Sequence, residues 1–205
     1  DLPKSNIVTM MGKLLTWLPF KLYFRVQKSG MENLTSEPVI YAGNHQSLLD
    51  AFIFNHSVPS KILRNIYYLA KVKHFSKGYM RKLGENSNVI LVDINKNLGE
   101  VLQTMAKVLK DGKSVVIFPE GARTRDGKML EFKKAFAILA KELDIPVVPF
   151  GIRGAFEAFP ANTKFPKASK IEVKFFEKVS PEGLNYDEIV EKTRESLVKW
   201  IEDKI

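Results

Sequence analysis

Beyond residue 30 the chain alternates between two hydrophobic periods. Short, nearly continuous apolar runs rich in Val, Ile, Phe and Tyr occur at Val39–Ala42, Ile66–Ala70, Val89–Val92, Ser114–Phe118, Val147–Ile152 and Ile171–Phe176. They have the length and composition of strands buried on both faces. Between them apolar residues recur at helical spacing. In Leu98–Leu109 the residues Leu98, Val101, Leu102, Met105, Val108 and Leu109 form one stripe, and Asp111-Gly112 ends the run. Phe132–Leu143 puts Phe136, Leu139, Ala140 and Leu143 on one face. A last helix opens at Asn185, three residues before Glu188, a cap-like start, and carries Ile189, Thr193, Leu197 and Ile201 at four-residue spacing. Strands alternating with helices predict an α/β domain with a mostly parallel central sheet flanked by helices. Ligands of such sheets bind beyond the carboxyl ends of the strands, so the chemistry is expected at the junctions that follow them.

The N-terminal stretch Asn6–Val26 has a different pattern. Met10, Met11, Leu14, Leu15, Trp17, Leu18, Phe20 and Phe24 are punctuated by Lys13, Lys21 and Arg25. The charges interrupt it well before the about 18 apolar residues a membrane span needs. It also lacks the cleavage site of a signal peptide. Apolar bulk with Trp, Phe and cations is the composition of an amphipathic helix lying in a membrane interface. The alternative is an N-terminal helix packed on the core. Residues 1–30 are thus read as an amphipathic, membrane-interface helical segment and residues 31–205 as a single α/β domain.

Composition narrows the classes. A chain of 205 residues with 45% hydrophobic content suits one globular domain with a substantial core. It has no cysteine, which excludes disulfides and thiolate chemistry. Lys and Arg outnumber Asp and Glu by 32 to 23, a net charge of +9. Such a surface attracts nucleic acid, an anionic membrane face or a phosphorylated small molecule. The chain begins with Asp, so it is expected to be processed or cut from a longer polypeptide.

Two junctions carry candidate chemistry. The first is GNHQSLLD, Gly43 to Asp50. On one helix His45 and Asp50 would point about 140° apart. They can meet only if His45 sits in the turn before a helix, with Asp50 one turn in. Asp50 would then accept a hydrogen bond from one imidazole nitrogen and leave the other as a base. The bland alternative is a polar helix start. Zinc binding has little support, since the spacing is not the two-His, one-turn pattern and no third ligand is near. Ser47 lacks the G-x-S-x-G setting of a nucleophile. The second junction is VVIFPEGARTRDGK, Val115 to Lys128. Arg123 and Arg125 beside a glycine turn make an anion site suited to phosphate; a solvated basic loop is the alternative. His56 and His74 read as ordinary histidines. Lys71, Lys73, Lys77, Arg81 and Lys82 form a basic stretch. There is no phosphate-binding P-loop, dinucleotide glycine fingerprint or nucleic-acid module.

Together and in this order the two motifs resemble the PlsC-like glycerolipid acyltransferase family, that of the 1-acyl-sn-glycerol-3-phosphate (lysophosphatidic acid) acyltransferases. NHQSLLD matches its N-H-x4-D block, FPEGART its F-P-E-G-x-R-S block with Thr124 in place of Ser, and IPVVPF (Ile145 to Phe150) its proline-bearing strand. The resemblance covers roughly residues 38–180. One block departs: the family ends a strand there with Arg, whereas this chain reads VILVDINKN, with Ile94 at that place and Lys96 two residues on. Plant-type soluble glycerol-3-phosphate acyltransferases carry lysine near that position.

The resemblance implies a glycerol-3-phosphate acyltransferase-like αβ fold and O-acyl transfer. It implies that His45 deprotonates the free hydroxyl of lysophosphatidic acid while Asp50 orients His45, and that the thioester of acyl-CoA or acyl-carrier protein is attacked directly. It assigns the acceptor phosphate to Arg123 with Glu120, Gly121 and Lys96. No metal or cofactor beyond the acyl thioester is implied. The partners expected are an anionic membrane surface held through the N-terminal segment, the acyl donor and a lysophospholipid acceptor, with no nucleic acid. The expected place is the cytoplasmic face of the cell membrane, as a peripheral or monotopic protein. Such domains also occur fused to acyl-activating enzymes, which makes a 2-acylglycerophospholipid an alternative acceptor. A non-catalytic anionic-lipid binding domain and nucleic-acid binding through Lys71–Lys82 are the rival classes.

Overall fold

The computed structural model describes residues 5–71, 82, 84, 86–92, 98–161 and 163–203. Its centre is a seven-stranded sheet of β1 (Gln27–Ser29), β2 (Ile40–Gly43), β3 (Ile66–Lys71), β4 (Val89–Val92), β5 (Ser114–Ile117), β6 (Val147–Arg153) and β7 (Glu172–Phe175). The strand order is β1-β7-β6-β2-β5-β3-β4. The five strands from β6 to β4 are parallel, β7 runs antiparallel to β6, and β1 lies parallel to β7. The chain is thus α/β with a mostly parallel sheet, as its hydrophobic pattern predicts. β2 is buried at every position because it lies between β6 and β5 with helices on both faces, which is why its sequence is unbroken apolar residues closed by a glycine.

One face of the sheet packs Tyr41, Val116, Val148, Phe150 and Phe175 against Ile53 and Phe54 of α3 (Asp50–Ser57) and Leu63 of α4 (Ser60–Leu63). The other packs Ile40, Ala42, Val115 and Val147 against α5 (Leu98–Lys110), α6 (Ala135–Leu143) and α8 (Tyr186–Glu202); a short α7 (Ala155–Ala158) follows β6. The start of α8 is a full capping box. The Asn185 side chain accepts from the Glu188 N–H at 3.0 Å, and the Glu188 carboxylate accepts from the Asn185 N–H at 2.7 Å.

Three features differ from the pattern. β1 is an exposed edge strand of Gln, Lys and Ser, with no apolar signal to announce it. β7 reverses direction, which an apolar run cannot encode. And α6 begins at Ala135 rather than Phe132, because the preceding residues anchor the second junction: the Lys133 N–H donates to the Pro119 carbonyl and the Leu130 N–H to Glu120.

The N-terminal segment forms α1 (Ile7–Leu15) and α2 (Trp17–Leu22), which meet at Thr16 and pack against α3. The Thr16 hydroxyl bonds back to the Gly12 carbonyl at 2.7 Å. Phe20 and Phe24 enter the core, while Ile7, Met11, Leu14, Leu15, Trp17, Leu18 and Leu22 face outward; Leu14 and Leu15 are 77% and 73% exposed. The segment thus packs on the core through Phe20 and Phe24 and turns most of its other large apolar side chains outward. Among the described residues no helix is long and apolar enough to cross a membrane.

Candidate active site

β2 delivers the first junction to the carboxyl end of the parallel strands. Gly43 stands opposite Phe150 of β6, and a Cβ there would lie 2.4 Å from a ring atom of Phe150, which is fully buried. A side chain at 43 would push the strand end, and the histidine that follows it, away from β6. Gly43→Ala is expected to cost about 1–3 kcal/mol, the usual penalty of overpacking. At about 2–4 °C per kcal/mol for a chain of this size, a calorimetric scan resolves that loss. An unchanged melting temperature would mean Phe150 can move aside.

The next residue continues the sheet with its side chain. Asn44 is buried; its Nδ2 donates to the Ile152 carbonyl and its Oδ1 accepts from the Ile152 N–H, both at 2.8 Å. The amide thus pairs with β6 as backbone would, and frees the Asn44 main chain to turn. His45 is then clamped from the second junction. Its N–H donates to Glu120 Oε1 at 2.7 Å, and its carbonyl accepts from the Thr124 N–H at 3.0 Å.

Asp50 is the first residue of α3, not one turn in, and is completely buried. Its Oδ2 accepts three donors: His45 Nδ1 at 2.8 Å, the Gln46 N–H at 2.7 Å and the Ser47 N–H at 2.8 Å. The carboxylate draws residues 45–47 into a loop over its own helix start, which is how two residues that cannot share a helix face come together. Burial pushes the Asp50 carboxyl up, and the bonds from His45, Ser47 and Gln46 oppose that. With an ionised acceptor on Nδ1, the imidazole proton sits on Nδ1 and Nε2 keeps its lone pair. The His45 ring stacks on Phe118 at 4.4 Å and its side chain is 25% exposed, so a substrate can reach it. Ser47 Oγ donates to the Phe159 carbonyl and accepts from the Leu49 N–H, a structural use of the hydroxyl.

Glu120 is turned into the protein. It is 4% exposed, and its oxygens accept from the His45 N–H and the Leu130 N–H, both at 2.7 Å. Burial raises its pKa against those two bonds. Its place explains why an acid sits among cations: it ties the two junctions together. Gly121 adopts φ +72° and its N–H donates to the Phe118 carbonyl, so that N–H is used within the turn. The missing side chain leaves room for Lys133, whose Nζ lies 2.8 Å from where a Cβ would be. Arg123 is half-buried, with Nη1 wholly buried and without a hydrogen-bond partner among the described residues. Arg125 is exposed. Lys96 and Ile94 lie outside the described residues, as do His74 and most of the Lys71–Lys82 stretch. Sequence reasoning placed Asn44 and Thr124 inside the two motifs without giving either a role, and it missed Lys133. Asn44 could be read as the exit from a buried strand; Lys133 carries no signal, because it meets Gly121 only where the chain folds back.

A family model described as Acyltransferase matches residues 25–153. A 1-acyl-sn-glycerol-3-phosphate acyltransferase of Limnanthes douglasii is 28% identical over 198 residues, covering 95% of this chain and 66% of its own. That of Saccharomyces cerevisiae is 28% identical over 223 residues, covering 97% of this chain and 71% of its own. The first curated relatives are matched over 52–66% of their length, so the chain spans half to two thirds of them. Among solved structures, the crystal structure of the 1-acyl-sn-glycerophosphate (LPA) acyltransferase PlsC from Thermotoga maritima superposes with a TM-score of 0.78 at 26% identity, covering 96% of this chain and 78% of that one.

Proposed function

The chain belongs to the acyltransferase family, and on that premise we propose that it transfers a fatty acyl group from an acyl thioester to the free hydroxyl of lysophosphatidic acid, giving phosphatidic acid. The observation that carries this reading is the His45 Nδ1–Asp50 Oδ2 contact of 2.8 Å at the carboxyl end of β2, clamped through Glu120 to the loop that bears Arg123.

His45 Nε2 removes the acceptor hydroxyl proton as that oxygen attacks the thioester carbonyl. The C–S bond then breaks, and the thiolate recovers the proton from His45. Buried Asp50 opposes the positive charge that His45 gains in between. A thiol leaves readily, so no protein nucleophile is required, in keeping with the structural role of Ser47. The reading needs no metal or cofactor beyond the acyl-CoA or acyl-carrier protein donor. Arg123 would hold the acceptor phosphate, with Lys133 adding charge across Gly121. The outward apolar residues of α1 and α2, with the exposed Leu48 and Phe52 beside the site, favour docking as a peripheral protein on an anionic membrane surface, taken in this reading as the cytoplasmic face of the cell membrane.

Incubation with lysophosphatidic acid and a panel of acyl-CoAs and acyl-carrier proteins, followed by release of free thiol, tests the reading. Release that needs the acceptor supports it; acceptor-independent release, or none with either donor, overturns it. In the same assay Arg123→Ala is expected to raise KM for lysophosphatidic acid by about 10- to 100-fold, the cost of a charge-assisted hydrogen bond. A change confined to kcat would place Arg123 elsewhere in the mechanism.

A further inference from the structure

The helix that begins with Asp50 ends in an unbalanced cluster of positive charge. Lys28, on β1, donates from Nζ to the His56 carbonyl at 2.8 Å, and Lys13, on α1, donates to the Val58 carbonyl. Cations do suit a helix carboxyl end. That accounts for one of the three donors on each lysine and leaves the rest of the cluster unexplained. Neither lysine makes an ion pair with a carboxylate among the described residues. Between them sits His56, 7% exposed, its ring stacked on Phe20 of α2 at 5.5 Å and its Nδ1 buried without a hydrogen-bond partner.

Burial acts on all three groups, and repulsion from a lysine adds to it at Lys13 and His56. Burial and the neighbouring Lys28 bring Lys13 down from 10.5 to about 8, and burial also lowers Lys28. Burial, Lys28 and Lys13 bring His56 down from 6.5 to about 4. On each element packed here (α1, α2, β1 and α3) the groups that face His56 are Lys13, Phe20 and Lys28, and no acid is among them. Three basic groups from three elements, with an orphaned nitrogen and no counter-charge among the described residues, have the chemistry of an anion site.

We propose that Lys13, Lys28 and His56 form a second anion site, distinct from the Arg123 loop, that takes a phosphate monoester group. A dianionic phosphate accepts from both ammonium groups and from the protonated imidazole, and relieves the repulsion among them. The site lies where α1 and α2 meet α3, beneath the helices that turn Leu14, Leu15 and Trp17 outward. A phosphomonoester lipid headgroup and free phosphate share this chemistry. The lipid source rests on the membrane reading above; the site itself does not.

The test is an NMR titration of the full chain, following Lys13 and His56 against pH with isotopically labelled side chains. The probes are inorganic phosphate, dihexanoyl phosphatidic acid and dihexanoyl phosphatidylcholine, the lipids below their micellar concentrations. Binding favours the protonated forms, so both midpoints are expected to rise, Lys13 from about 8 toward 10.5 and His56 from about 4 toward 6.5. Movement with inorganic phosphate assigns a general phosphate site. Movement with phosphatidic acid alone assigns a headgroup site. No movement with any probe, or movement that persists undiminished in Lys28→Met, overturns the proposal and leaves the lysines as helix caps. The readout does not involve turnover, so failure of the acyl-transfer reading would leave it intact.

Discussion

Replacing His45 with alanine is expected to lower kcat for acyl transfer by about 10²- to 10⁴-fold, the range that a positioned general base contributes. The fold should survive. The two hydrogen bonds that place residue 45, from its N–H to Glu120 and to its carbonyl from Thr124, are made by backbone and remain in the variant. Asp50 loses one donor and keeps those of Gln46 and Ser47. What is lost is one hydrogen bond and the stacking on Phe118, together worth about 1–2 kcal/mol. Thiol-release kinetics and a thermal scan on the same preparation separate the two effects. Transfer retained above a tenth of the wild-type rate would remove His45 from the mechanism.

The second large effect is expected at Asp50, where two substitutions should part company. Because one oxygen accepts all three donors, asparagine can keep its amide oxygen in that position and preserve the loop. Its NH₂ then occupies the place of Oδ1, which is buried without a partner, at a cost of about 1–3 kcal/mol. The geometry stays, but the negative charge that opposes a protonated His45 is gone. Asp50→Asn should therefore lose about 10²- to 10³-fold in kcat with KM close to wild type, since nothing that holds substrate has changed. Asp50→Ala leaves the Gln46 and Ser47 N–H groups unsatisfied as well, and should lose several degrees in melting temperature besides its turnover. Equal damage to kcat and stability in both variants would make Asp50 a structural residue and no more. Near-wild-type turnover in Asp50→Asn would discard the electrostatic role.

Much of this architecture is legible in the linear chain, for a definite reason. Val39–Ala42 and Val147–Ile152 are apolar at nearly every position because both faces of their strands are covered, and their shortness and β-branched, aromatic content point to strand. The Asn185–Glu188 box marks the start of α8 because both halves of the cap are local. The His45–Asp50 pair is legible because its members are five residues apart at a strand-to-helix junction, although the helix begins at Asp50 itself and not a turn before it. β1 is not legible, since its three polar residues join the sheet only because β7 offers an edge. The direction of β7 is hidden for a related cause: an apolar run is the same read either way.

The site divides along the same line. Residues whose partners are near in the chain, as His45 and Asp50 are, declare themselves from spacing and chemistry. Residues whose partners are remote do not. Glu120 reads in sequence as a member of a phosphate loop, but it serves His45, 75 residues away. Asn44 answers Ile152, 108 residues on, and Lys133 reaches Gly121 only because the chain between them folds back before α6. Side-chain type and spacing are enough to establish the alternating strands and helices, the lack of cysteine side chains, the amphipathic N-terminus and the pairing of His45 with Asp50, because each is a local pattern. Three-dimensional packing settles the rest: which carboxylate holds backbone alone and which also faces histidine, that Arg123 Nη1 is buried without a partner, and how Lys13, Lys28 and His56 come to share one end of α3. Those depend on desolvation and on contacts across strands, which spacing along a chain does not encode.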